Sequence, residues 1–193
     1  GGWYLQPDCN MPSGESFVRQ ALLGLEFFKQ HFGVRPRTAL NFDSFGHTRG
    51  LVQILQKCGY DAYMICRPGP GQIQLPGGCF DWEGFAGSRV RVGYFPRGYN
   101  TGLGKARPQI EGDLNTGSRL TPDVHLILWG VGNHGGGPSC LDLQRLHELM
   151  SEEGEYALLH STPEVYFAEL RECRHDLPRH DGDLNPWAVG CYT

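Results

Sequence analysis

The stretch from Thr38 to Arg67 limits most sharply what this chain can fold into. Thr38 to Phe42 is a strand-like lead-in to the polar loop Asp43-Ser44-Phe45-Gly46-His47-Thr48, and Leu51 to Cys58 has helical spacing and stops at Gly59. Asp61 to Cys66 is a second strand-like run, and it delivers Arg67 into the loop Pro68-Gly69-Pro70-Gly71. Strand, helix and strand in so short a span predict a βαβ unit with a parallel sheet, because parallel neighbours need a crossover and a helix usually supplies it. In such folds the carboxyl ends of the strands carry the chemistry. Asp43 and Arg67 are therefore expected at the same edge of adjacent strands. Two readings of Asp43 stand side by side: a reactive carboxylate at a strand mouth, or a cap for the next turn or helix. Arg67 would hold a hydroxyl-rich or anionic ligand, steady Asp43, or simply face solvent.

Around this unit the chain alternates helix and strand signals. Trp3-Tyr4-Leu5 is strand-like. Ser13 to His31 carries Phe17, Val18, Ala21, Leu22, Leu25 and Phe28 at helical spacing, with Ser13 as cap and Gly33 and Pro36 as stop signals. Asp8, Asn10 and Glu15 either line a polar site or do loop and cap work. Residues 80–85 and 87–92 read as a hairpin with a Gly-containing turn. Residues 96–122 form a long Gly- and Pro-rich loop, helical around Ile110 to Asn115. Val124 to Trp129 reads as the clearest buried strand, and Ala157 to His160 as another. Leu141 to Glu152 is predicted helical with Leu143, Leu146, His147 and Met150 on one side, and Pro163 opens a helix from Glu164 to Arg171.

Composition narrows the function classes. With 193 residues, 39% hydrophobic and 20% charged, the chain can bury one sizeable core and is no disordered polymer. A net charge of −4 gives no electrostatic reason for a nucleic-acid or anionic-membrane partner. No apolar run approaches a membrane span, and no stretch reads as a signal peptide. Seven cysteines without CxxC spacing suit reduced thiols, which predicts a cytoplasmic protein. Gly130 to Gly135 formally contains GxGxxG after a strand, but Gly136, Gly137 and Pro138 push the helix start to Ser139, beyond the third glycine. Gly102 to Lys105 has the wrong spacing for a phosphate loop. His175, His180, Asp176, Asp181 and Asp183 lack the spacing of a metal cluster.

Four blocks of residues carry a resemblance. They are Gln6-Pro7-Asp8-Cys9-Asn10-Met11-Pro12-Ser13-Gly14-Glu15-Ser16 with Val18-Arg19-Gln20; Asp43-Ser44-Phe45-Gly46-His47 with Gln53-Ile54-Leu55; Trp82-Glu83-Gly84 with Gly87-Ser88-Arg89-Val90; and Asn133-His134-Gly135-Gly136-Gly137-Pro138-Ser139. Together they resemble the α-mannosidases of glycoside hydrolase family 38, in the bacterial branch. The resemblance implies an α/β fold: an incomplete (β/α)7-type barrel of parallel strands with helices outside, residues 1–193 forming part of one N-terminal catalytic domain. It implies a zinc-dependent retaining hydrolysis of α-mannosides through a covalent glycosyl-Asp intermediate, with a mannose-containing oligosaccharide or glycoside as partner.

By the same resemblance Asp43 is both nucleophile and zinc ligand. Phe45 is the aromatic platform near the sugar, Arg67 a hydrogen-bond donor to it, and Tyr99 with Asn100 the match to a Tyr-Asp pair that touches substrate. Two departures stand out. The family's His-x-Asp strand and a later His, which complete the zinc ligands, are not among these residues. The chain is therefore expected to be a piece of a longer protein, inactive in isolation, with association of the longer protein left open. Where many relatives place an acidic Asp, this chain has Asn133 and His134, so the general acid is His134, a water, or a carboxylate elsewhere. Two other readings compete: a carbohydrate-binding barrel remnant without catalysis, and a dinucleotide-dependent oxidoreductase resting on the glycines at 130–135.

Overall fold

The computed structural model describes residues 1–6, 8–115, 123–132, 135–174 and 176–185. Helix α1 (Gly14–Phe32) forms where its periodicity predicts, with the Ser13 hydroxyl accepting from Ser16 N at 3.3 Å and left-handed Gly33 ending it. The predicted βαβ unit follows: β1 (Thr38–Asn41), α2 (Leu51–Cys58) and β2 (Ala62–Ile65), with Thr38 of β1 opposite Ala62 in parallel register. A hairpin of β3 (Cys79–Glu83) and β4 (Arg89–Tyr94) comes next, turning through Phe85–Gly87, and β4 lies parallel to β2. Beyond it come α3 (Ala106–Asn115), the short β5 (Val131–Gly132) and β6 (Gly136–Gly137), α4 (Cys140–Ser151), α5 (Pro163–Cys173) and β7 (Arg179–His180). The main sheet has the order β1-β2-β4-β3-β7.

This is an α/β fold with a mostly parallel sheet. Among the described residues the sheet is open, with β1 and β7 at its edges. One pairing, β3 with β4, is antiparallel, because a turn as tight as 84–88 joins only antiparallel neighbours. Both faces are covered, so β2 is buried along its whole length. Its alternate side chains point to opposite faces. Tyr63 and Ile65 pack with Phe17, Leu25, Leu51 and Leu55 of α1 and α2. Ala62 and Met64 pack with Tyr166, Phe167 and Leu170 of α5. A third cluster joins α3 to α4 through Ala106, Ile110, Leu146 and Leu149.

Three expected strands do not form. Val124–Trp129 lies outside both sheets; Val124, Leu126 and Leu128 pack towards α5, while Ile127 and Trp129 pack towards α3 and α4. The alternation of a strand is present, but it serves two apolar clusters and not a ladder. Ala157–His160 is likewise irregular, with Leu158 on the α3–α4 cluster and Leu159 exposed. Trp3–Leu5 is bent, because Tyr4 N donates to Gln20 O at 3.0 Å and Leu5 N to Gln20 Oε1 at 3.0 Å, which turns these amides towards α1. On α4 the inward face is Asp142, Leu146 and Leu149, and His147 is exposed.

The outward edge of β1 is closed by separate groups. Glu164 Oε1, from the first turn of α5, accepts from Thr38 N at 3.2 Å, and the Trp3 indole donates to Leu40 O at 3.0 Å. Gln6 Oε1 accepts from Phe42 N at 3.3 Å.

Candidate active site

Because β1, β2 and β4 are parallel, their carboxyl ends deliver the loops after Asn41, Ile65 and Tyr94 to one edge of the sheet. Asp43 and Arg67 meet there: Arg67 Nε donates to Asp43 Oδ1 at 3.0 Å. The Arg67 guanidinium also lies over the Phe45 ring, 4.5 Å from its centroid. Both partners of the ion pair are part-exposed, 42% for the Arg67 side chain and 32% for Asp43. An exposed pair contributes about 0–1 kcal/mol to stability. Its interest is therefore geometric: a carboxylate at a strand mouth, oriented by a cation and open to a ligand.

Tyr99 joins the group through Phe42, the two rings stacked at 5.6 Å and 18°. Asn100 turns elsewhere: its amide donates to Gly132 O at 3.2 Å, and Thr101 N donates to Gly130 O at 2.8 Å. These bonds tie the loop after β4 to the glycine-rich ribbon of β5 and β6. His134, the acid candidate, lies outside the described residues. Helix α4 begins at Cys140, with the Ser139 hydroxyl accepting from Asp142 N at 3.0 Å, so the helix starts beyond the glycines as its sequence predicts. The Gly102–Lys105 turn at the start of α3 meets an internal anion instead of a phosphate. The Asp142 carboxylate accepts from Gly104 N at 3.0 Å and Ala106 N at 3.1 Å. The Ser139 hydroxyl and these amides hold its carboxyl below the usual range.

Glu15 does cap and surface work, paired with Arg19 at 2.8 Å one turn on. Asp8 Oδ1 accepts from Asn10 N at 2.9 Å, a local turn bond, while its Oδ2 is buried with no partner among the described residues. The loop carrying Asp8 reaches the Asp43 loop through Cys9, whose N donates to Ser44 Oγ at 3.3 Å.

Beneath the loops lies a buried group to which motif reading gives no role: Cys9, Asn41, His47 and Tyr63. His47 Nδ1 is 2.7 Å from Tyr63 Oη, and His47 Nε2 is 3.1 Å from Arg67 O. Burial pulls the His47 pKa from 6.5 down to about 4, against the upward pull of the Arg67 carbonyl. Burial pushes the Cys9 thiol up to about 11 and the Cys66 and Cys79 thiols to about 12, so these are packing groups and not nucleophiles. The signal for His47 was its place four residues after Asp43. Tyr63 gave none, since it reads as one more apolar position in a strand.

A cavity of about 720 Å³, lined by Gln72, Tyr94, Phe95, Arg97, Asp113 and Leu126 among others, opens beside the loop after Arg67 and does not include Asp43. The described residues contain no group of three His, Cys, Asp or Glu side chains placed to hold a metal ion. Asp43 offers one carboxylate, so these residues by themselves do not fit a zinc site.

Known proteins resemble this chain over nearly its whole length. The profile of the "Glycosyl hydrolases family 38 N-terminal domain" matches residues 1–189. The chain is 33% identical over 189 residues to alpha-mannosidase 2C1 of Mus musculus, covering 97% of this chain and 17% of that protein. It is 29% identical over 185 residues to alpha-mannosidase G of Dictyostelium discoideum, covering 95% of this chain and 17% of that one. The crystal structure of an alpha-mannosidase from Enterococcus faecalis V583 has the same fold, with a TM-score of 0.77 at 23% identity, covering 95% of this chain and 22% of that chain. The chain thus spans under a fifth of the length of these curated relatives. With Asp43 and Arg67 paired at the end of a parallel βαβ unit and the profile matched over nearly every residue, this chain belongs to glycosyl hydrolase family 38 and lies in its N-terminal domain.

Proposed function

We propose that this chain is the part of an α-mannosidase that carries the nucleophile, Asp43, for retaining hydrolysis of α-mannosides. One observation carries the reading: the carboxylate of the Asp-Ser-Phe-Gly-His motif sits part-exposed at a strand mouth, oriented by Arg67 at 3.0 Å, in a chain of this family. An Asp43 oxygen attacks the anomeric carbon while the glycosidic C–O bond breaks and a proton passes to the leaving oxygen. Water then cleaves the glycosyl ester and restores the carboxylate. Such enzymes need a second acid group about 5–5.5 Å from the first; His134, a water and a carboxylate from elsewhere are the candidates. Arg67 fixes the direction of Asp43, and Phe45 backs the guanidinium; Tyr99 extends the aromatic wall through Phe42.

The zinc expected for this family would take Asp43 as one ligand and draw the others from outside the described residues. The sheet is read as one part of a (β/α)7-type barrel, supported by the fold shared with the Enterococcus enzyme. The six cysteines among the described residues are all free, which supports a cytoplasmic setting.

The test uses the full-length protein. A slow fluorinated mannosyl fluoride should label the peptide containing Asp43, and Asp43→Asn should lower kcat by about a thousandfold or more. It should also lower zinc content. Full activity with normal zinc in Asp43→Asn overturns the assignment. Binding of mannosides by a wild-type protein that never hydrolyses them points to the carbohydrate-binding remnant.

A further inference from the structure

The buried group beneath the loops has an internal order that its contacts dictate. Asn41 Nδ2 lies 3.1 Å from Cys9 Sγ, and Cys9 Sγ lies 3.8 Å from Tyr63 Oη. Tyr63 Oη lies 2.7 Å from His47 Nδ1, and His47 Nε2 lies 3.1 Å from Arg67 O. A backbone carbonyl only accepts, so the Arg67 end fixes the protons on His47: Nε2 carries the hydrogen and Nδ1 of the neutral ring accepts. Asn41 donates to the Cys9 sulfur, which lies 3.6 Å from His47 Nδ1 as well as 3.8 Å from Tyr63 Oη. The Tyr63 hydroxyl donates to His47 Nδ1, and His47 Nε2–H donates to the Arg67 carbonyl. His47 is thereby held as one tautomer.

The far end of this chain matters for the site. Arg67 is gripped twice, by its carbonyl from His47 and by its guanidinium from Asp43 and Phe45. His47 belongs to the same short loop as Asp43, and its backbone is locked to Leu184, with N–H···O distances of 3.0 and 2.9 Å. A ring therefore closes: Asp43, the loop to His47, the Arg67 backbone, the Arg67 side chain, and Asp43 again. An apolar pair would fill the space of His47 and Tyr63 without desolvating either polar group, so packing alone gives no reason for them. We propose that His47 is a positioning residue for the reaction: it fixes the Arg67 backbone, and through Arg67 the direction of the Asp43 carboxylate. This rests on the reading of Asp43 as the nucleophile.

The experiment is a double-mutant cycle on α-mannoside hydrolysis by the full-length protein. Asparagine is too short to reach the Arg67 carbonyl, whereas the amide nitrogen of glutamine sits near the place of imidazole Nε2 and can donate to it. His47→Asn should lower kcat/KM by about 10- to 100-fold, the scale of an ångström-sized misplacement. His47→Gln should recover most of that loss. In an Arg67→Ala background, His47→Asn should cost no more than about twofold, because the side chain through which it acts on Asp43 is gone even though the carbonyl remains. Should His47→Asn fail to fold, Tyr63→Phe keeps the ring and removes only the hydroxyl. Its kcat/KM should fall measurably, and again not in the Arg67→Ala background. Equal losses with and without Arg67, or a Tyr63→Phe enzyme with unaltered kcat/KM, overturn the proposal. Asp43→Asn run in parallel separates the two readings. Activity there removes the nucleophile assignment itself, while inactivity there with additive His47 and Arg67 effects removes only the role given to His47.

Discussion

Arg67 touches Asp43 through one part-exposed charge-assisted hydrogen bond, whose value lies in aiming the carboxylate and not in stability. Arg67→Ala in the full-length enzyme is therefore expected to lower kcat/KM about 10- to 100-fold. Zinc content should stay close to normal, since Arg67 is no ligand; metal analysis showing loss would mean its place is misread. The neutral state of His47 has a second consequence, for stability. Its folded pKa, about 4, lies below the ordinary 6.5. Above pH 6.5 neither state binds the proton and the contribution is whole. As pH falls from 6.5 towards 4 the unfolded chain takes up a proton that the native one refuses, so stability drops, by on the order of 3 kcal/mol. Urea midpoints should fall across that window, and the fall should be smaller in His47→Gln, whose amide does not titrate.

Helix α1 and the segment before it meet backbone to backbone at Gly24. A Cβ there would come within 2.5 Å of Trp3 Cα, and closer still to the Gly2 oxygen. Alanine gains about 0.5–1 kcal/mol of helix propensity over glycine, but overpacking costs about 1–3 kcal/mol. The clash wins, and Gly24→Ala is expected to lower Tm. Gly14→Ala on the same helix is the control: its Cβ would meet Ile54 Cδ1 at 3.7 Å, an ordinary contact, and Tm should hold or rise. Sequence alone reads such helices well, because α1, α2, α4 and α5 announce themselves by local periodicity, caps and breakers. It also gives the βαβ unit, and with it the meeting of Asp43 and Arg67. Val124–Trp129 and Ala157–His160 mislead because a strand is completed by a partner, which no short apolar run contains. The Cys9–Tyr63–His47 chain is illegible for the same reason: its successive members lie 54 and 16 residues apart and meet only when α1, β1 and β2 are stacked.

Across the whole molecule, β2 is the strand buried at every position, while β7 at one edge is buried at none and β1 at the other is closed by borrowed groups. By the pleat of the strand, Thr38 and Phe42 face outward, while Ala39 and Asn41 face β2. The outward amides are thus guarded by single side chains, Glu164 for Thr38 and Gln6 for Phe42. One rotamer change of an exposed glutamine frees the Phe42 amide, whereas the amides of Ala39 and Asn41 come free only when the ladder to β2 opens. Deuterium uptake should therefore divide one short segment by parity, fast at Phe42 and slow at Ala39 and Asn41. Uniform protection along the segment would mean that another extended chain lies against it. The edge of β1 is in this sense a reporter: its exchange pattern reads out, residue by residue, whether side chains or a neighbouring backbone hold the border of the sheet.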